Sequence, residues 1–273
     1  MSDAAEAYSK TLRSTINRLK QRGTYDHDTI HGIIDSAPIA HVSFNPTSLD
    51  DDPFPTILPM LAVTGSYTAP GADLTSPIAV YIHGHSASRF MKFPATRADD
   101  PNFDPLPGVP VCVSATHVDG VVLALTPFNC SCNYRSAVVH GYATTVDDPA
   151  EKMYALTLLT NNLVPGTWEN TRVPPTAAEM QSTTVLRVDI VCASAKIRAW
   201  EAGNDKEDLD NMALRDRVWT GVVPMFTSHG IPVPAGENRV LVVPDRLEKF
   251  VAAENKKRAT YANDVAGRPY IKK

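Results

Sequence analysis

Val80-Tyr-Ile-His-Gly-His-Ser-Ala-Ser-Arg-Phe90 is the stretch on which the reading of this 273-residue chain turns. Val80 to His83 is an apolar and aromatic run of the kind that packs in a sheet, and a polar turn of small residues follows it. Gly84 and Ala87 permit close backbone approach. Ser86, Ser88 and Arg89 offer hydroxyl and guanidinium donors, and the planar Arg fork suits phosphate because it gives two parallel hydrogen bonds. If Ser86 opens a short helix through Phe90 and Lys92, free helix N–H groups add to an anion site. The same residues also fit a capped strand-to-helix turn with Arg89 on the surface. Tyr81, His83 and His85 are two apart and share a face in extended chain. The two imidazoles are therefore candidates for an acid/base group, a metal or haem ligand, or structural hydrogen bonds.

Outward from that stretch the pattern is mainly β. Residues 39–44, 56–64 and 77–83 are short β-rich runs separated by Pro, Asp and Gly clusters. Residues 109–116 and 120–126 read as two strands joined by a hairpin at Asp119-Gly120. Further strands are expected over 134–146, 184–191, 195–200 and 218–226. Helices punctuate this pattern. Residues 4–21 form a polar, helix-prone arm that Gly23 stops. Asp26 caps a helix carrying Ile30, Ile33, Ile34 and Ala37 at helical spacing. Asp148, Pro149 and Glu151 mark an N-cap, a first-turn proline and a capping-box acid, with Met153, Leu156, Leu159 and Leu163 as the buried face. A short helix near Ala177, a charged loop over 201–217 and a terminal helix over 244–263 complete the chain. Antiparallel strands with helices added late predict a barrel with peripheral helices and not a βαβ sheet. No G-x-G-x-x-G follows a strand, so a dinucleotide fold has no support.

Composition limits the classes of function. With 43% hydrophobic and 21% charged residues, the chain has ordinary globular content. A net charge of -4 gives no electrostatic reason to expect nucleic acid, and the basic run Lys256–Arg258 reads as a solvated helix face. No apolar run reaches the roughly 20 residues that span a bilayer, and the first 20 residues lack a secretory pattern. The four cysteines (Cys112, Cys130, Cys132, Cys192) read as reduced thiols of a cytoplasmic protein, and Cys130-Ser-Cys132 lacks the further ligands a metal site needs. Other candidates lie outside the central stretch. Arg135 and Ser136 open a strand where a cation can reach a phosphate or an electron-rich ring edge. Lys196 and Arg198 alternate on one strand face, and Trp219 sits in an apolar run as a core or stacking residue.

Taken in order, several segments resemble one family. They are Arg22-Gly-Thr-Tyr-Asp26, Ala37-Pro-Ile-Ala-His-Val42, Pro55-Thr-Ile-Leu-Pro-Met60, Tyr81 to Arg89, Pro110-Val-Cys-Val113, Thr116-His-Val-Asp-Gly120, Asn133-Tyr-Arg-Ser136, Ser194-Ala-Lys-Ile-Arg198 and Trp219-Thr-Gly-Val-Val-Pro224. The chain resembles the flavin-nucleotide-binding branch of the pyridoxamine 5'-phosphate oxidase-like superfamily, close to the nitroimidazole reductases, over about residues 20–235.

That resemblance implies a mainly β fold, a split antiparallel Greek-key barrel with FMN at a two-fold homodimer interface. It divides the chain into a helical arm (1–22), an FMN-binding barrel domain (23–235) and a C-terminal helical extension (236–273). It implies that Ser88 and Arg89 hold the phosphate, that His83 and His85 line the pocket as catalytic candidates, and that Pro59, Met60, Arg135 and Ser136 lie along the flavin; Ser86, Lys196 and Trp219 join them as cofactor-binding candidates from the residues themselves. Departures exist. The oxidases' Ser-Arg-Lys triplet reads Ser88-Arg89-Phe90, the segments 45–55 and 92–107 are longer, and the substrate groups of true pyridoxamine phosphate oxidases are not recognisable. The expected function is an FMN-dependent oxidoreductase acting on a small organic acceptor. The alternatives are a haem protein on the same scaffold, with His83 or His85 as iron ligand, and a non-catalytic flavin carrier or sensor. No metal other than haem iron, no nucleic acid and no membrane partner is expected.

Overall fold

Nine strands form the framework of a computed structural model that describes residues 6–45, 53–98 and 107–270. They are β1 (Gly23–Thr24), β2 (Ala40–Phe44), β3 (Thr56–Met60), β4 (Ala62–Gly65), β5 (Ala79–His85), β6 (Val109–Leu123), β7 (Ser131–Thr145), β8 (Thr183–Arg198) and β9 (Gly221–Pro224). The sheet runs β3-β2-β6-β7-β8-β5-β4, with β1 beside β8 and β9 beside β6. The first and last strands of that path, β3 and β4, are consecutive in the chain and joined by Leu61 alone. The sheet must curl until its two ends meet, which makes an antiparallel barrel with Greek-key crossings. Most of the two long insertions expected from the sequence lies outside the described residues.

The chain divides into two compact units, one of Met1–Thr116 with Ser136–Lys196, the other of His117–Arg135 with Ile197–Lys273. In the first unit, alternation along the strands sends one set of side chains inward. Val42, Val80, Ile82, Val113, Val139, Leu186 and Val188 form the core, closed by Ile30, Ile33 and Ile34 of α1 (His27–Ser36) and by Phe90 and Met91 of α2 (Arg89–Ala98). The Asp26 carboxylate accepts the Thr29 N–H at 3.0 Å, so α1 starts where the sequence predicts. The opposite face of β5 is also covered. Tyr81 and Val185 pack with Ala155 and Leu159 of α3 (Pro149–Leu163). A capping box at Thr176 and Glu179 starts α4 (Ala177–Ser182).

The second unit is smaller. It contains β9, the short helices α5 (Lys206–Asp210) and α6 (Met212–Arg217), and the long helix α7 (Asp245–Ala266), which packs on β9. Ala199, Trp200 and Val265 form a small core of its own. No helix among the described residues is long and apolar enough to cross a membrane.

The structure departs from the sequence pattern where polar side chains take partners that spacing does not reveal. Residues 6–22 hold no α-helix, only a 3-10 turn at Lys20–Arg22. The Thr11 N–H donates to Ser14 Oγ at 2.9 Å and Tyr8 N–H donates to Tyr25 O at 2.9 Å, so hydroxyl groups and a cross-chain bond replace the helical ladder. Asp119-Gly120 is no hairpin; β6 runs straight through it. A Cβ on Gly120 would lie 2.8 Å from Val222 Cγ1, so this glycine serves the approach of β9. β8 is likewise one strand where two were expected, and the 201–217 loop contains α5 and α6. Glu151 does not cap α3. Its carboxylate is buried, accepting Tyr81 OH at 2.8 Å and Arg187 Nη1–H at 3.2 Å, and the buried line of α3 is Glu151, Ala155 and Leu159.

A second buried carboxylate ties α1 to β4. Asp35 accepts the Thr64 N–H at 2.7 Å and its hydroxyl at 2.8 Å. Burial raises its pKa to about 6 although both bonds pull the other way. A carboxyl with its folded pKa above the unfolded value adds stability below the unfolded pKa and loses it as pH rises through about 6. Asp35→Asn is expected to flatten the change in unfolding free energy between about pH 4 and pH 7.5 by on the order of 2 kcal/mol. Urea unfolding at the two pH values measures it, and an unchanged slope would clear Asp35 of this role.

Candidate functional site

β5 is flanked by β4 and β8, and its Val80, Tyr81 and Ile82 are buried, so both faces of the strand's first half are covered. Its end carries the site. Beyond His85 the chain turns through Ser86 and Ala87, and α2 begins at Arg89. The turn is fixed by three bonds. Ser86 N–H donates to Ser182 O at 2.8 Å, Ala87 N–H to His85 Nδ1 at 3.0 Å, and Ser88 N–H to His85 O at 2.8 Å. The first helical bond is Lys92 N–H to Ser88 O at 3.2 Å. The N–H groups of Arg89, Phe90 and Met91 therefore have no acceptor within α2, and they point out of its first turn. With the exposed Arg89 and the half-buried Ser86 and Ser88, they give that turn the donors and positive potential an anion requires.

Two packing contacts hold α2 in place. Phe90 stacks on Phe44 of β2 with centroids 4.2 Å apart. Gly84 faces Met91, and a Cβ there would lie 2.9 Å from Met91 Cε. The glycine in the His-Gly-His run thus lets the helix rest on the strand. Met60, half-buried against the same core, ends β3 two residues before Ala62, whose partner in β5 is Ile82. Chain connectivity alone keeps Met60 within about 7 Å of that strand pair. Pro59 is exposed on the edge strand β3, opposite His41.

The two histidines differ. His83, opposite Val185, is partly buried, and its Nδ1 is enclosed without a hydrogen-bond partner. Desolvation lowers its pKa, which favours the neutral ring. His85 is exposed, and its Nδ1 is taken by the Ala87 N–H. Among the described residues no three His, Cys, Asp or Glu side chains cluster as a metal site, and Cys130 and Cys132 are free and exposed.

This strand–turn–helix lies within residues 26–197, which match the profile of the pyridoxamine 5'-phosphate oxidase family over nearly two thirds of the chain. The chain belongs to that family. Two solved structures extend the likeness beyond the family segment. The flavocytochrome Anf3 from Azotobacter vinelandii is 27% identical, with 88% of this chain and 97% of that one covered at a TM-score of 0.69. The FAD- and haem-binding protein from Mycobacterium smegmatis is 25% identical, with 84% and 97% covered at a TM-score of 0.66. A search of curated proteins returned no match.

The remaining candidates in this family member have structural partners. Ser136 Oγ donates to Lys196 O at 3.1 Å, and Lys196 Nζ donates to Arg18 O at 3.1 Å. In the second unit, Arg135 grips Asp119 through two bonds of 2.7 and 3.0 Å and lies over the Tyr261 ring at 4.1 Å. Its guanidinium thus has an internal acceptor in Asp119 while part of the side chain stays exposed. Trp219 lies outside β9 and is 64% exposed, not core, with its ring over Gly221. Arg198 is buried and donates to Trp200 O at 2.8 Å and to Asn133, so it is not a solvent-facing cation. Sequence reasoning missed Ser182, whose carbonyl holds the turn from nearly 100 residues away, and Asp119, which it assigned to a hairpin.

Asp119 is nearly inaccessible while Arg135 retains some water contact, so breaking the pair is expected to cost about 2–3 kcal/mol. Asp119→Ala and Arg135→Ala should each lower unfolding stability by that amount, and the double variant by little more than either. Additive losses in chemical denaturation would show that the two side chains act separately.

Proposed function

We propose that this chain is a flavin-dependent oxidoreductase acting on a small organic acceptor, with the flavin nucleotide's phosphate held at the start of α2. The observation that carries this reading is the convergence of Arg89, Ser86, Ser88 and three free helical N–H groups at the end of β5 in this fold. The donors fit a phosphate group. FMN is the cofactor the sequence suggests. FAD offers the same flavin with a pyrophosphate, and the Mycobacterium smegmatis relative named for FAD makes it an equal choice. A bound flavin supplies hydride or electron transfer.

The protein's own part is positional and electrostatic. Arg89 pairs with phosphate, Met60 and the end of β5 bound the space beyond, and Gly84 lets α2 sit against the strand. Neutral His83 is suited to hold or release a proton at Nε2. In keeping with the family, the chain is proposed to work as a homodimer.

A second reading adds haem. The two solved relatives are named as a flavocytochrome and as an FAD- and haem-binding protein. A neutral imidazole is what iron ligation requires, and His83 meets that condition. His85 Nδ1 accepts the Ala87 N–H, which places the ring's hydrogen on Nε2, so ligation through Nε2 would give up that turn bond.

Absorbance of the purified protein separates these readings. A two-banded yellow spectrum is expected, with a Soret band in addition if haem is bound, and the released nucleotide identifies FMN or FAD by chromatography. A colourless protein that takes up neither flavin sinks the proposal. Arg89→Ala should weaken flavin binding by roughly 1.5–3 kcal/mol, about 10- to 150-fold, for loss of a charge-assisted contact. Unchanged affinity removes Arg89 from the site. If haem is present, His83→Ala should abolish the Soret band. His85→Ala should keep it while lowering thermal stability, and the reverse pattern would assign the iron to His85.

A further inference from the structure

We propose that the pocket between the N-terminal arm and strands β6, β7 and β8 binds a small organic carboxylate, with Arg13 as the pairing cation. The pocket is a cavity of about 240 Å³ within the first unit. Thr11 and Arg13 line it from the arm, His140 and Tyr142 from β7, and Cys192 from β8. No Asp or Glu is among its lining residues. Among the described residues, the side chains of Arg13, His140 and Tyr142 hold no hydrogen-bond or ion-pair partner. Elsewhere in this unit Arg172 and Arg187 are paired with carboxylates. A free guanidinium, a free imidazole and a free phenol around one acid-free cavity are a donor set that lacks its acceptor.

The arm is held in place before any ligand arrives. Thr11 Oγ1 donates to Cys192 Sγ at 3.3 Å, Thr15 Oγ1 donates to Thr11 O at 2.5 Å, and Lys196 Nζ donates to Arg18 O at 3.1 Å. Ser14, next to Arg13, is buried with its hydroxyl paired to Thr11 Oγ1 at 3.0 Å. The backbone on both sides of Arg13 is thus anchored, which leaves little ordering to be done on binding. The charge of Arg13 reaches the strands beneath. Burial lowers the His140 pKa, and Arg13 lowers it further. Burial raises the Cys112 pKa, and Arg13 opposes that rise. An anion set between Arg13 and His140 pairs with the first and screens the second from its charge.

The lining selects the class of anion. The Arg fork gives a carboxylate two parallel hydrogen bonds, and His140 and Tyr142 each have a donor to add. Pro110 of β6 and Val191 of β8 flank the β7 residues and are apolar, so the pocket also has a place for carbon. A volume of about 240 Å³ is that of roughly eight liquid waters, which suits an acid with a short or aromatic tail. An inorganic phosphate would leave the apolar sides unused. The pocket is separate from the anion site at the start of α2. Thr183 of β8 pairs with His85, and Cys192 lies nine residues farther along the same strand, about 25–30 Å away. The inference goes beyond the flavin reading and does not depend on it.

Isothermal titration calorimetry of benzoate into the full chain as purified tests it, with inorganic phosphate as the comparison anion. Benzoate is expected to bind at one site per chain and more tightly than phosphate. Arg13→Ala should weaken it about 10-fold or more, for loss of a charge-assisted pair. Arg13→Lys should fall between, since it keeps the charge and loses the fork. Arg89→Ala should leave benzoate affinity unchanged. If Arg13→Ala fails to fold, the wild type decides by NMR: the His140 ring protons, assigned with His140→Gln, should shift as benzoate is added. Absent heat together with unshifted His140 resonances, unchanged affinity in Arg13→Ala, or phosphate binding as tightly as benzoate overturns the proposal. So does loss of benzoate binding in Arg89→Ala, which would place the anion in the flavin site. A colourless chain that binds benzoate through Arg13 would remove the flavin and keep this pocket. A yellow chain that ignores benzoate would do the reverse.

Discussion

The contact of Met91 with the bare backbone of Gly84 places everything else at the site. Without a Cβ in that position, α2 settles directly onto the end of β5, and Phe90 reaches the aromatic face of Phe44. The depth of that seating decides where the first turn of α2 aims its unpaired N–H groups. It also decides how far Arg89 stands from the His83–His85 face. The strand beneath cannot yield, because it is hydrogen-bonded on both edges and covered on both faces. A rigid strand and a helix seated on a missing side chain are a dependable way to hold an anion, since the donors are oriented before the ligand arrives.

Much of this was legible in the sequence, and for stated reasons. The alternation of Val80 and Ile82 against Tyr81 and His83 gave the strand its two faces, and a polar turn rich in small residues ended it. Asp26 and the Asp148-Pro149 pair signalled helix starts through local bonds that spacing does encode. What escaped detection was non-local. Glu151 has the position of a capping acid, yet Tyr81 and Arg187 claim it from distant strands. Thr11 and Ser14 sit in a helix-prone composition, yet their hydroxyls bond the backbone nearby and the arm runs irregularly. Asp119-Gly120 carries a hairpin signature, yet its carboxylate is taken by Arg135 and its glycine by β9. At Glu151 and Asp119-Gly120 a partner far along the chain outbid a local preference of about a kilocalorie, and at Thr11 and Ser14 a nearby hydroxyl did so.

The same principle separates plausible cofactor residues from committed ones. Arg135 and Lys196 are cations at strand positions, as a phosphate site requires, but both have internal acceptors. Arg89 is exposed beside a helix start whose N–H groups are spare. His83 and His85 are equivalent by spacing, and their surroundings make them different: one ring is desolvated and neutral, the other is part of a turn. Function on a shared scaffold is settled at this level, by what each polar atom already holds.

Pro59 gives the barrel a property of another kind. It sits in β3, the terminal strand of the sheet path, where an ordinary residue would turn an amide hydrogen toward the open side. Proline has none to offer, so β3 cannot zip to a neighbour there. A stray strand from an unfolded chain finds a broken template at that margin, and the barrel gains protection against runaway sheet growth.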